Sequence, residues 1–361
     1  MRMKNPLALP TVGLALLFCF PLGAQSAPSP AIDAKNQSRI LNELASRFDE
    51  HYWSIAEGKR ISAYLRTQAG KNAYQSLTDS QEFARAVTRD LQTFSQDYHL
   101  RLKYSADRVT GDDLHTTPPD APSQAQFARL AVRRNQGFDD VRLLPGNLGY
   151  LDVRAFFPAT NAGAKLAAAM RLLANTDAMI IDLRFNHGGE PDTADLLLSY
   201  LTPTPQLVEI SAERVGPNRI ESRQRTTPAY VEGERYLDKP VLVLISEETF
   251  SAGEYFAYVI QALGRATLVG DHTHGGVNPY DDYKLDDHFV GSVTYSSPTI
   301  VATGSNWTGG VKPDTSVAAA EALTTAQSLA LKKLLASGPP ESKVEWQSAL
   351  DNLAKGASSQ P

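Results

Sequence analysis

The sequence predicts an α/β protein in which a small helical unit precedes a larger core built on a largely parallel sheet. Two observations carry this. Early in the chain, Ile40, Leu41, Leu44, Phe48 and Tyr52, and then Phe83, Ala86, Val87 and Leu91, fall at the spacing of helices with one buried face. Beyond about residue 140, short near-continuous apolar runs alternate with helical patterns, as strands do when crossover helices cover both faces of their sheet.

In chain order, Met1-Arg2-Met3-Lys4 carries two positive charges and leads into an apolar stretch that ends in Ala24-Gln25-Ser26-Ala27. That order predicts a secretory signal peptide over residues 1–27. Pro10 and Pro21 interrupt the stretch, and it is shorter than the roughly 20 residues that span a bilayer, so no stable membrane anchor is expected. Phe18 precedes Cys19 where a lipoprotein signal needs a small residue. A helical domain follows over 33–105, then a connection over 106–140, whose segment 110–126 is rich in Pro, Asp, Thr and Ser. The core is expected over 141–335. Its first cycle is a strand at 148–153, a helix at 164–173 and a strand at 178–183. Its second is a helix at 194–201, a strand at 240–245, a helix at 252–263 and a strand at 266–269. A closing helix is expected at 323–335, and a C-terminal helix and tail over 336–361.

Composition narrows the function classes. Cys19 is the single cysteine and lies in the expected signal, so the processed chain has no thiol for disulfides, metal ligation or nucleophilic attack. Losing Arg2 and Lys4 takes the formal charge from -5 to -7. There are no basic runs of the kind that bind nucleic acid or anionic lipid, and the expected partner is a peptide, protein or small molecule.

Three places carry residues suited to chemistry. The strand ending at Ile245 crosses a short turn to Ser251-Ala252-Gly253-Glu254 at the start of a helix. Amides there favour negative charge developing on a substrate oxygen. Ser251 and Glu254 also spell a capping box, and local sequence alone favours that plainer reading. The second place is Asp182-Leu183-Arg184-Phe185-Asn186-His187-Gly188-Gly189, followed by Pro191 in a helical first turn. Its glycines permit close backbone approach to a ligand, so an amide of Gly188 or Gly189 can form half an oxyanion hole with Ala252 as the other half. Asp182 and Arg184 equally suit an ion pair fixing the turn, and a lone loop histidine such as His187 is usually just solvated. The third is Gln96-Asp97-Tyr98-His99, where His99 acts as a base only if folding brings it to a nucleophile. His272 and His274 near Asp271, with Asp281, Asp282, Asp286 and Asp287, show no compact ligand spacing. No metal or organic cofactor is expected.

Together these places resemble the tail-specific or C-terminal processing protease superfamily, in the branch of interphotoreceptor retinoid-binding protein and the tricorn protease core. The likeness rests on four stretches in the family's order: 96–102, 141–156 (VRLLPGNLGYLDVRAF), 178–201 (AMIIDLRFNHGGEPDTADLLLSYL) and 249–276 (TFSAGEYFAYVIQALGRATLVGDHTHGG). It implies a crotonase-like or ClpP-like β/α core after a helical N-terminal domain, with no PDZ domain inserted. It also implies Ser251 as nucleophile, His99 as base, and amides of Gly188 or Gly189 and of Ala252 as the oxyanion hole. Relatives with a serine and lysine dyad place the lysine where this chain has Thr273-His274-Gly275-Gly276-Val277, and Lys284 lies too far along to align. The sequence departs from the histidine branch at Thr308, where the resemblance implies a glutamate that orients the base. Losing that acid costs about ten thousandfold in a well-studied serine triad. Thr308 through its hydroxyl, or Asp97, Asp281 or Asp282, is a candidate replacement, and the Asn306-Trp307-Thr308 sequon is read as chance. The expectation is an exported peptidase, periplasmic or secreted, cutting peptide or protein substrates. The alternative is a degenerate member that binds a peptide or apolar ligand without cleavage. Acyl-thioester chemistry is the third reading, disfavoured because export separates the chain from cytosolic thioesters.

Overall fold

The computed structural model describes residues 30–110, 121–203 and 205–357. The expected signal peptide, the middle of the connection and the last four residues lie outside them. In chain order the main elements are α1 (Ala34–His51), α2 (Ile55–Gly70), α3 (Ser80–Ser95), β1 (Arg101–Tyr104), α4 (Ala121–Arg133), β2 (Phe138–Leu144), β3 (Leu148–Val153), α5 (Ala159–Leu173), β4 (Ala178–Asp182) and α6 (Pro191–Leu201). They continue with β5 (Leu207–Gly216), β6 (Arg219–Thr226), β7 (Val241–Ile245), α7 (Ala252–Ala262), β8 (Thr267–Gly270), β9 (Tyr280–Lys284), β10 (Phe289–Thr294), β11 (Ser296–Ile300), β12 (Thr315–Ser316), α8 (Ala322–Ser337) and α9 (Lys343–Ala357). The chain forms two compact units.

The first unit gathers the residues up to 127 with 214–219 and 279–295. Its helices start where side chains accept first-turn amides: Asp33 from Asn36 at 2.7 Å, Ser54 from Glu57 at 3.3 Å, and Asp79 from Gln81 and Glu82 at 2.9 Å. Their apolar stripes, including Ile40, Leu44, Phe48, Ile61, Leu65, Phe83 and Leu91, share one core with Tyr283, Leu285, Phe289 and Val293. The last four belong to the β9–β10 hairpin and its turn, which continue through β10 to β1 as an antiparallel sheet. This hairpin falls inside the stretch expected as catalytic core. Alternation along a strand shows that one face is buried but not against what, and here the burying surface is α1 and α3.

The second unit is built on a six-stranded sheet in the order β12-β8-β7-β4-β3-β2. All neighbours are parallel except β2 and β3, which form an antiparallel pair at the edge. The sheet is therefore mixed, and the expected α/β class holds. Strands β3, β4 and β7 are buried at every position, which explains their unbroken apolar runs. Leu148, Tyr150, Ile180, Leu242 and Leu244 face α8 and α9, with Leu331, Leu334 and Trp346 in the same cluster. A separate antiparallel sheet, β11-β5-β6, completes the unit. Among the described residues no helix is long and apolar enough to cross a membrane.

Ile180, fully buried in the middle of β4 between β3 and β7, tests this core. Ile180→Ala is expected to lower stability by about 2–5 kcal/mol, read as a fall in the urea midpoint at unchanged slope.

Candidate active site

Strand β7 ends at Ile245 and the chain turns sharply into α7. The turn is fastened from below: Ser246 N–H donates to Thr249 Oγ1 at 2.9 Å, and the Thr249 hydroxyl donates to Leu183 O at 2.8 Å. Ser246 Oγ donates to Arg184 O. Phe250 N–H then donates to Asn186 O at 2.9 Å. The next residue, Ser251, has φ 53° and ψ -119°. An ordinary N-cap is extended, which is what aims its side chain at the first-turn amides. Ser251 is not extended. The capping box spelled by the sequence is nonetheless present, its return half being Ser251 N–H donating to Glu254 Oε2 at 2.8 Å. A non-glycine residue in such a conformation costs of order 1–3 kcal/mol. A serine on a strained strand-to-helix turn is a familiar way to expose a nucleophile at a helix N-terminus.

The double-glycine loop lies directly against this serine. A Cβ on Gly188 (φ 91°) would sit 2.7 Å from Ser251 Cβ and 3.1 Å from Ala252 N, and one on Gly189 (φ 127°) would sit 2.1 Å from Phe156 O. Glycine is required at both positions by sterics as well as by φ. Asn186, fully buried, builds the loop. Its Nδ2 donates to Val153 O at 2.9 Å, and its Oδ1 accepts the Gly188 amide at 2.8 Å. That amide is thereby committed internally. Among the described residues no internal acceptor is found for Gly189 N–H or for Ala252 N–H, the latter at the first position of α7. Asp182 and Arg184 form the turn-fixing ion pair at 2.6 Å, with Tyr150 donating to Asp182 at 2.7 Å. His187 is half-buried beside the loop and donates its amide to Arg154 O at 3.3 Å. Burial first, and Asp192 second, push the Glu190 carboxyl up to about 7.

Behind Ser251, Glu254 is fully buried. It accepts hydrogen bonds from the Thr273 hydroxyl and Gly275 N–H, both at 2.5 Å, and from Gly276 N–H at 2.8 Å. Burial pushes its carboxyl up to about 7, while these donors pull it back, Thr273 most. The 273–276 loop is bound in turn to the next glycine-rich segment. Thr273 Oγ1 accepts Val311 N–H at 2.7 Å, and Trp307 Nε1 donates to Gly276 O at 3.1 Å. Thr308 follows Trp307 but is exposed, with its hydroxyl donated to Asn306 Oδ1 at 2.8 Å. His272 stands exposed beside Asp271 and Glu247, at 3.0 and 3.9 Å.

His99 belongs to the first unit. It is buried, its amide donates to Asp97 Oδ1 at 3.1 Å, and its ring lies 5.2 Å from that of Tyr280. Asp97 is also engaged by Thr294 at 2.9 Å and Tyr52 at 3.3 Å. Asp282 is held by Lys103 at 2.9 Å and by Ser292 at 2.6 Å.

Ser251, Ala252, Gly188 and Gly189 thus lie in one unit, with Gly188 packed against Ser251. Asn186 and Thr273 carry structural roles that sequence reading did not give them. Asn186 offered one signal, its place two residues before a glycine, where Asn commonly accepts a nearby backbone amide.

These features define a class: an α/β chain that presents a serine on a strained strand-to-helix turn, packed against a double-glycine loop. Comparison with known proteins agrees. Residues 147–317 match the model of peptidase family S41, and residues 34–133 match that of the N-terminal domain of this family's members in eukaryotic IRBP. The chain thus carries one region similar to peptidase family S41 and another similar to the N-terminal domain found with it. Over 141 residues it is 33% identical to a carboxyl-terminal-processing protease of Synechocystis sp., a match covering 38% of this chain and 30% of that protein. The chain therefore matches less than a third of that relative's length. In fold it is similar to a lipoprotein from Streptococcus agalactiae (TM-score 0.53, 14% identity, 86% of this chain and 100% of the other). It is similar likewise to a protein from Parabacteroides merdae (TM-score 0.52, 17% identity, 91% and 100%).

Two outcomes follow from the site. Asn186→Ala leaves Gly188 N–H and Val153 O without their buried partner, each worth about 1–3 kcal/mol, and thermal unfolding is expected to register the loss. Glu254 gives stability a pH dependence. The unfolded chain releases this proton near pH 4.5 while the folded chain holds it to about 7, so Glu254 lowers stability progressively as pH rises across that window. Denaturant unfolding at several pH values is expected to show that decline in the parent chain and to lack this component in Glu254→Gln.

Proposed function

We propose that the protein is an exported serine-type peptidase, acting in the periplasm or outside the cell on peptide or protein substrates. The observation that carries this reading is the strained backbone of Ser251 at the head of α7, with Gly188 packed against it. Ser251 Oγ attacks the scissile carbonyl carbon, and His99 takes the hydroxyl proton. The C–N bond breaks as that proton passes to the leaving amine. Water then attacks the acyl-enzyme, returning its proton through His99 to Ser251. The amides of Gly189 and Ala252 stabilise the oxyanion at both steps, the site needing donors where negative charge develops. Gly188, whose own amide is held by Asn186, keeps the loop close enough for its neighbour to serve. The chemistry calls for no metal or organic cofactor.

A second reading, a member that binds a peptide or apolar ligand without cutting it, is favoured by Thr308. This residue stands where the family resemblance places the orienting acid, and its hydroxyl is given to Asn306.

A fluorophosphonate probe separates the two. The chain is expected to be labelled at Ser251, as read by intact mass and peptide mapping. Ser251→Ala is expected to abolish labelling, and His99→Ala to slow it by about 10²–10⁴-fold. A folded chain that resists labelling would sink the peptidase reading in favour of the binder.

A further inference from the structure

The capping-box reading of Glu254 accounts for one of its hydrogen bonds. In an ordinary box the glutamate reaches back to the N-cap amide and is otherwise solvated. Here the carboxylate is fully buried, and three of its four donors belong to a segment 19 to 22 residues further on. Oε2 takes Ser251 N–H and Gly276 N–H, both at 2.8 Å, and Oε1 takes the Thr273 hydroxyl and Gly275 N–H, both at 2.5 Å. An ionised carboxylate offers about four lone-pair sites, and four donors fill them.

The polarity of this shell is one-sided. Because Thr273 Oγ1 already accepts Val311 N–H at 2.7 Å, its own proton is directed to Glu254. Each neighbour therefore presents a hydrogen to the carboxylate, which is ionised above pH about 7, and an amide in its place brings two hydrogens that find no acceptor there. Meanwhile the unfavourable φ of Ser251 persists only if its surroundings over-determine it. Two bonds do so from either side: Phe250 N–H to Asn186 O, and Ser251 N–H to Glu254 Oε2. The 273–276 loop presses on the same turn, since a Cβ on Gly276 would sit 2.2 Å from the Phe250 ring.

We infer that Glu254 is a positioning residue for the nucleophile: one buried carboxylate locks the peptide group of Ser251 to the 273–276 loop and so fixes the turn that presents the serine hydroxyl. The inference rests on the reading of Ser251 as nucleophile. It assigns the downstream loop, which carries no lysine here, the task of orienting the serine through Glu254. It also makes charge, rather than size, the property required at position 254. Gln matches Glu in shape but turns two acceptor sites into donors, and Thr273→Val removes one donor while leaving the carboxylate in place.

The test is the saturation kinetics of fluorophosphonate labelling on the full chain, separating the maximal inactivation rate from the probe concentration at half-saturation, with circular dichroism as the control for folding. Glu254→Gln is expected to lower the maximal rate on the order of 10²-fold, the cost of a misplaced reacting group, with half-saturation unchanged. Thr273→Val is expected to lower it less, and to add little in the Glu254→Gln background because both act through one carboxylate. An unchanged maximal rate in folded Glu254→Gln overturns the inference while leaving the nucleophile reading intact. Should Glu254→Gln not fold, an unchanged rate in Thr273→Val overturns it. A parent chain that is not labelled at Ser251 overturns both.

Discussion

The Ser251 turn depends on peptide groups being held on both of its flanks, and much of the second unit is arranged to do this. Asn186 receives the Phe250 amide on its backbone oxygen, while its side chain spans Val153 O and Gly188 N. A single buried residue thus ties the ends of β3, β4 and β7 into one corner. Glu254 does the same from the helix side, using charge-assisted hydrogen bonds, which are the stronger kind. The strain at Ser251 is tolerable because each of these groups is itself satisfied and buried.

The close approaches around the corner explain its glycines. Gly188 is small because Ser251 and Ala252 lie against it, Gly189 because Phe156 O does, and Gly276 because the Phe250 ring does. None of these contacts is between sequence neighbours. The oxyanion chemistry we propose therefore rests on distances that three separate segments set jointly, and the division of labour between the two glycines follows. The Gly188 amide is spent on internal architecture, and the Gly189 amide is the one our proposal gives to the substrate oxyanion.

The first unit shows the same economy around Asp97. Its carboxylate takes the His99 amide on one oxygen and the Tyr52 and Thr294 hydroxyls on the other. The histidine loop is thereby fixed to Tyr52, which caps the end of α1, and to β10 at once. Asp97 thus serves as a scaffold for the backbone, and Asp282, as the partner of Lys103 and Ser292, serves the sheet.

The strands at 148–153 and 178–182, and the helices α1, α3, α5, α6 and α7, were legible in the sequence because burial imposes a period on each element: continuous apolar runs for strands covered on both sides and 3.6-residue spacing for helices. The Ser251 and double-glycine segments were legible because their residue types are unusual where a strand meets a helix. The hairpin at 279–295 was not, since its pattern reports a buried face without naming the surface that buries it. Neither was the commitment of the Gly188 amide to Asn186, the shell of donors around Glu254, or the engagement of Thr308 with Asn306. Each of these is a hydrogen bond whose partner is selected by three-dimensional proximity, and a local pattern records what a side chain can offer but not what it meets.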